Sequence, residues 1–298
     1  MQRLPVLLFV LFLAQPASAA LNIFACEPEW GALAEEIGGD AVSVYVATSA
    51  KQDPHQLQAR PSLIAKARGA DLVVCTGAEL EIGWMPVILR QAANGRIQPG
   101  MPGYFEAAMQ VRLKDVPTVL DRSQGDVHAQ GNPHIQTDPR NLAPVAAALA
   151  ERMAQVDPGS AARYRERHQA LAQRWSQALQ RWQAEAAPLR GIKVAVQHKN
   201  WSYLLDWLGL VEVTTLEPKP GVPPSSGHLA EVLAKVTADP VRLVIRAAYE
   251  DGRPSAWLAE RAKVPAVERP FTVGGNDQAT DLIKLFDDTL RRLKEAAR

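Results

Sequence analysis

The chain lacks several features that would assign it to a function class at once. It has no excess charge of either sign: Lys and Arg number 33, and Asp and Glu 32. With no basic stripe, that balance argues against nucleic acid or an anionic membrane surface as partners. Past the leader, no stretch stays apolar for the roughly 18 residues a membrane helix needs. Nothing is low in complexity and no period of roughly 20 to 50 residues recurs, which excludes a repeat architecture. No H-E-x-x-H is present, so the helical signature of zinc hydrolases is missing. Cysteine is scarce too, with only Cys26 and Cys75, so at most one disulfide can form. Both end apolar runs, LNIFAC and DLVVC. Either they bridge the ends of neighbouring strands in an oxidising compartment or they are two buried thiols.

What is present begins with MQRLPVLLFVLFLAQPASAA. One basic residue, Arg3, precedes an apolar run from Leu4 to Ala14 and a small-x-small close at Ala17-Ser18-Ala19. This is the pattern of a secretory signal peptide, residues 1–19, cleaved near Ala19. No cysteine follows the cleavage point to carry a lipid. The expected location is the periplasm. Arg3 is the leader's only charged residue, so basic and acidic residues balance in the mature chain.

Strand and helix patterns alternate over the rest. Strands are predicted at 21–26, 41–48 and 71–77, and helices at 28–40, 61–70 and 79–93. Residues 101–133 read as loop with short strands, and 138–158 as helix. A pattern of roughly 30 residues, 160–189, predicts one helix about 45 Å long. Alternation then restarts, with strands at 192–197, 211–218, 241–248 and 265–271. Its helices are at 201–209, 227–239, 254–263 and 277–297. The fold class is therefore α/β: two lobes with mainly parallel sheets, 20–159 and 190–298, joined by the long helix 160–189. Ligands of such sheets collect at the carboxyl ends of the strands, which predicts a site in the cleft.

Three of the six histidines share a placement just after a strand or loop and just before a helix. They are His55 in DPHQLQARP, His134 in GNPHIQTDPRN and His198 in AVQHKNWSYLL. Proline before His55 and His134 restricts the backbone. Three neutral imidazoles meeting in the cleft form a site suited to Zn2+. His168 falls on a polar stretch of the long helix and reads as solvated surface. His128, in SQGDVHAQG, reads as a solvated loop residue, and His228 as a capping or surface residue. Glu27 and Glu29 follow the first strand. They read either as partners orienting an imidazole or as acids at a helix N-terminus. The tryptophans read as packing.

With these residues in place, the chain resembles the metal-specific periplasmic solute-binding proteins of ABC transporters, which feed zinc or manganese to a membrane permease. DPHQLQARPSLIAKARGADLVVCTGAELE, GNPHIQTDPRN and the strand-end His198 carry the resemblance, which spans essentially the whole mature chain. It implies that His55, His134 and His198 are metal ligands, that the cargo is Zn2+ rather than Mn2+, and that the partner is an inner-membrane permease. Manganese members often carry a carboxylate where His198 stands. The family usually supplies an aspartate from the loop after the last strand. Here that loop reads RPFTVGGND, with Val273 where the carboxylate is expected and Asp277 four residues on. The fourth ligand is thus expected to be Asp277, with Asp53, Glu250 or water as alternatives. The protein is expected to be a monomer and a binding protein rather than an enzyme. Alternatives are a manganese- or iron-binding homologue, a zinc-dependent periplasmic hydrolase, or a binding protein for sugars or amino acids.

Overall fold

The computed structural model describes residues 20–118, 123 and 125–298, so the leader lies outside the described residues. Two four-stranded parallel sheets form two α/β lobes. The first contains β1 (Leu21–Ala25), β2 (Val42–Val46), β3 (Leu72–Cys75) and β4 (Tyr104–Glu106), in the order β2-β1-β3-β4. The second contains β5 (Lys193–Val196), β6 (Val211–Thr215), β7 (Leu243–Ala247) and β8 (Ala266–Arg269), in the matching order β6-β5-β7-β8. All pairings are parallel. Within each sheet, the loops that follow the strands therefore all leave on one side. The central strands β3 and β7 are nearly continuous in Val, Leu and Ile because helices cover both faces.

The helices are α1 (Pro28–Gly38), α2 (Pro61–Arg68), α3 (Met85–Ala92), α4 (Pro139–Val156), α5 (Ala161–Ala186), α6 (Ser202–Leu208), α7 (Ser226–Ala238), α8 (Gly252–Ala262) and α9 (Leu282–Ala296). Proline occupies the first turn of α1, α2, α3 and α4, where its missing N–H costs nothing. Helix α5 has 26 residues, about 39 Å at 1.5 Å per residue. It buries Tyr164, Leu171, Trp175, Ala178 and Trp182 along one stripe. Trp182 meets Trp175 and Phe286 at ring-centre distances of 5.3 and 5.2 Å. One apolar cluster runs through both lobes and this helix, from Leu21 to Leu293, so the lobes share a core.

Two helices start later than their sequence pattern. Leu80, Trp84 and Ile88 recur at the four-residue spacing of a helix, yet 79–84 is turn and α3 begins at Met85. Gly77, Ala78 and Glu79 all have positive φ, and the Glu81 carboxylate accepts the amides of Thr76 and Gly77. The chain is thereby held in a turn rather than an α-helix. Helix α9 begins at Leu282 because Asp281, not Asp277, is its N-cap, accepting the Lys284 N–H. Cys26 and Cys75 are joined in a disulfide at the ends of the neighbouring strands β1 and β3.

Candidate metal centre

Four imidazoles gather between the lobes. His55 lies in a 3-10 turn, Pro54–Gln56, after β2. Asp53 caps that turn, its Oδ1 accepting the backbone N–H of His55 at 3.0 Å and contacting its ring Nδ1 at 2.7 Å. Trp84 Nε1 donates to the Pro54 carbonyl and fixes the turn from below. His134 precedes α4 and is 2% exposed. Its N–H donates to Asn132 Oδ1. Asn132 itself ties the lobes together, donating to the Lys199 carbonyl and accepting at its own carbonyl from the Tyr203 hydroxyl. His198 follows β5, and its Nδ1 contacts Glu217 Oε2, after β6, at 2.6 Å.

His55 and His134 have ring centres 5.2 Å apart, His134 and His198 5.9 Å, and His55 and His198 6.1 Å. Imidazoles sharing one zinc at the usual Zn–N length of about 2.0–2.1 Å stand roughly 5 Å apart, centre to centre. The observed spacing lies within about 1 Å of that, so the three rings fit one ion after a small adjustment.

His128 belongs with them. Its ring centre is 5.3 Å from that of His55 and 6.4 Å from that of His134. The stretch SQGDVHAQG has no periodicity and predicts a solvated loop, but contacts from distant residues bring His128 into the cluster. Ala129 N–H donates to Glu79 Oε2, Asp126 N–H donates to the Pro220 carbonyl, and Lys219 Nζ donates to the Ser123 carbonyl. His128, His134 and His198 line one cavity of about 200 Å3 with Asp115, Asp126 and Asn132. On the other side of His198, a second cavity of about 300 Å3 is lined by Asp53, Gln197, Glu217, Tyr249 and Glu250.

The other residues that the sequence singles out lie elsewhere. Asp277 is exposed, at the tip of a loop folded on itself. Asn276 Oδ1 accepts the amides of Gln278 and Ala279, and Asn276 Nδ2 donates to Asp288. Among the described residues, no hydrogen bond or ring contact joins Asp277 to the imidazoles. The residue from that loop which does touch the cluster is Phe271, packed edge-on against His134 at 5.6 Å. Among the described residues, no hydrogen bond joins Glu27 or Glu29 to an imidazole. Glu27 accepts from Thr76, and Glu29 accepts from Thr272 Oγ1 of the opposite lobe at 2.5 Å. Among the described residues, the carboxylates that contact imidazoles of this cluster are Asp53 and Glu217. His168 is half-buried against an apolar groove rather than fully solvated. His228 lies in the first turn of α7, which Ser225 caps. Cys26, Cys75 and Glu81 hold donor atoms within 4.8 Å of one another, but the disulfide consumes both sulfurs.

The electrostatics treat the imidazoles differently, favouring the neutral form of His134 and His128 and the charged form of His198. Burial, followed by the neighbouring His55 and His198, holds the His134 pKa well below the ordinary value and brings His128 down to about 4. Burial also works against the charged form of His198. Its hydrogen bond to Glu217 and the charges of Glu217, Glu250 and Asp53 outweigh that and raise its pKa. Burial likewise pushes the Glu250 carboxyl up to about 7. For Asp53, burial is outweighed by the His55 hydrogen bonds, and its pKa falls below the ordinary value.

Among known structures, a crystal structure of ZnuA matches with a TM-score of 0.75 at 20% identity, covering 94% of this chain and 100% of that one. A zinc-bound deletion mutant of ZnuA matches with a TM-score of 0.73 at 20% identity, covering 92% and 98%. A manganese-bound periplasmic metal-binding protein from Candidatus Liberibacter asiaticus matches with a TM-score of 0.75 at 14% identity, covering 93% and 100%. These likenesses show the shared two-lobe fold. No curated protein matches in sequence. The family described as the periplasmic zinc-uptake complex component A, ZnuA, is matched over residues 23–296, nearly the whole chain, and the protein belongs to that family.

Proposed function

We propose that the protein captures Zn2+ between its lobes through His55, His134 and His198 and delivers it to an ABC permease in the inner membrane. Family membership makes it a metal-binding transport component rather than an enzyme. The observation that carries the zinc reading is the gathering of four imidazoles from separate loops, with neighbouring ring centres 5.2–6.4 Å apart. Nitrogen-rich donor sets suit zinc, whereas manganese is served better by oxygen donors. Solved relatives hold zinc, manganese and cadmium, so the choice of metal rests on the donors of this chain.

The fourth donor is assigned to His128 in place of Asp277. His128 contacts two of the other rings, whereas Asp277 is turned to solvent. A shared core along α5 limits lobe motion, so capture proceeds by small ring and loop movements. Signal-peptide cleavage near Ala19 places the mature protein in the periplasm, as a monomer.

Titration of the metal-stripped protein with Zn2+ and Mn2+ in competition tests this. One zinc per chain, displaced by neither equimolar nor tenfold Mn2+, is expected. Preferential manganese uptake would replace this reading with the manganese one.

A further inference from the structure

The two imidazoles facing each other across the cleft are each backed by a carboxylate, and the third is not. Asp53 Oδ1 meets His55 Nδ1 at 2.7 Å, and Glu217 Oε2 meets His198 Nδ1 at 2.6 Å. Among the described residues, His134 has no such partner. Its Nδ1 is buried without a hydrogen bond, and Phe271 packs against its ring. An imidazole whose Nδ1–H is held by a carboxylate presents Nε2 as its lone-pair donor. His55 Nε2 is indeed buried and unpartnered, as an inward-facing donor should be.

Both carboxylates are built into place rather than lying there by chance. Asp53 Oδ1 also accepts the backbone N–H of His55, so a single oxygen fixes the turn and the ring together. Glu217 is anchored at three points. Its N–H donates to the Gln197 carbonyl, its carbonyl accepts from Thr215 Oγ1, and its Oε2 accepts the Gly221 N–H at 2.8 Å. Gly221 has φ +76°, and a Cβ there would collide with the Asp126 carboxylate. The turn that returns an amide to Glu217 therefore requires glycine.

We infer that Asp53 and Glu217 are positioning residues that set zinc affinity and preference at this site, each holding one imidazole by Nδ1 so that Nε2 faces the ion. The inference rests on the assignment of His55 and His198 as ligands. Four neutral imidazoles bring no charge to a buried dication. The two carboxylates supply two negative charges one hydrogen bond away, which offsets the cost of burying the ion. They also make Nε2 a stronger donor. A stronger nitrogen donor favours zinc over manganese, the weakest binder of the divalent series.

The test compares Glu217→Gln and Asp53→Asn, which keep an acceptor but lose the charge, with Glu217→Ala and Asp53→Ala, which lose both. Zinc affinity is read by chelator competition, the zinc-to-manganese ratio by direct competition, and donor geometry by the Co2+ visible spectrum. The amide variants should keep the wild-type Co2+ band shape while losing about 10-fold in zinc affinity. The alanine variants should lose up to about 100-fold and broaden the band. All four should narrow the zinc-to-manganese ratio. Zinc affinity within about twofold of wild type in all four overturns the inference. So does a loss of affinity that leaves both the band and the ratio unchanged. If an alanine variant fails to fold, the amide pair still decides. The ligand assignment fails separately, if His198→Ala binds zinc as wild type does.

Discussion

His55 and His198 belong to different lobes, yet their ring centres stand 6.1 Å apart. A metal that takes both nitrogens must therefore bridge the lobes, and removing either ring leaves the ion held from one side. Each substitution His55→Ala, His134→Ala or His198→Ala should weaken zinc binding by roughly 10^2–10^3-fold. That is about a quarter of the binding energy of a four-ligand zinc site. His128→Ala should cost less, about tenfold, because water replaces a donor on a surface loop. Asp277→Ala should leave affinity within about twofold. Chelator competition on the five variants checks the order, and a large loss in Asp277→Ala would restore that aspartate as the fourth ligand.

Zinc that binds the folded chain alone must also stabilise it. At free zinc a thousandfold above the dissociation constant, linkage gives about 4 kcal/mol. For a chain of this size that is a rise in Tm of roughly 8–16 °C. Differential scanning calorimetry of wild type should show the rise, and His198→Ala at the same zinc concentration should lose most of it.

Glu29 should make the metal-free protein less stable as the pH rises. Burial pushes this carboxyl from an ordinary 4.5 to about 7. Between those values the folded protein keeps a proton that the unfolded chain has lost. Its contribution is complete below about 4.5 and lost as pH rises through about 7. His128, brought down to about 4, has the opposite sign, its contribution being lost as pH falls from 6.5 towards 4. Glu29→Gln keeps an acceptor for Thr272 and removes only the first effect. Urea unfolding should find it close to wild type at pH 4.5 and more stable by on the order of 2 kcal/mol at pH 8. Parallel pH curves would show that Glu29 ionises normally.

The Cys26–Cys75 disulfide spans 49 residues. Closing a loop of that length in the unfolded chain is worth about 4 kcal/mol in the chain-entropy account. Replacing both cysteines with alanine should lower Tm by roughly 8–16 °C while leaving zinc affinity unchanged, since neither sulfur touches an imidazole. An unchanged Tm would contradict this.

Much of the fold is legible in the sequence because alternation of short apolar runs with amphipathic stretches is a local property. The stripe Leu171, Trp175, Ala178 and Trp182 on α5 is readable at helical spacing. What escapes is set by contacts between distant residues. Leu80, Trp84 and Ile88 imitate a helix, but the positive-φ backbone at 77–79 and the amides of Thr76 and Gly77 on Glu81 make the turn. At the site, His55, His134 and His198 stand out because each sits at a strand end or loop before a helix. His128 does not, because its loop is placed by Glu79, Pro220 and Lys219. Glu217 lies 19 residues from the ring it holds, a pairing that only the parallel β5–β6 register creates. The Gly221 that its turn demands is the one local sign of it.

The most direct measurement is anomalous diffraction at the zinc edge from crystals of the zinc-loaded protein. A single peak is expected in the cleft, about 2.0–2.1 Å from nitrogens of His55, His134 and His198. A peak elsewhere, or one in the cleft that misses any of these three rings, would contradict the zinc site proposed for this chain.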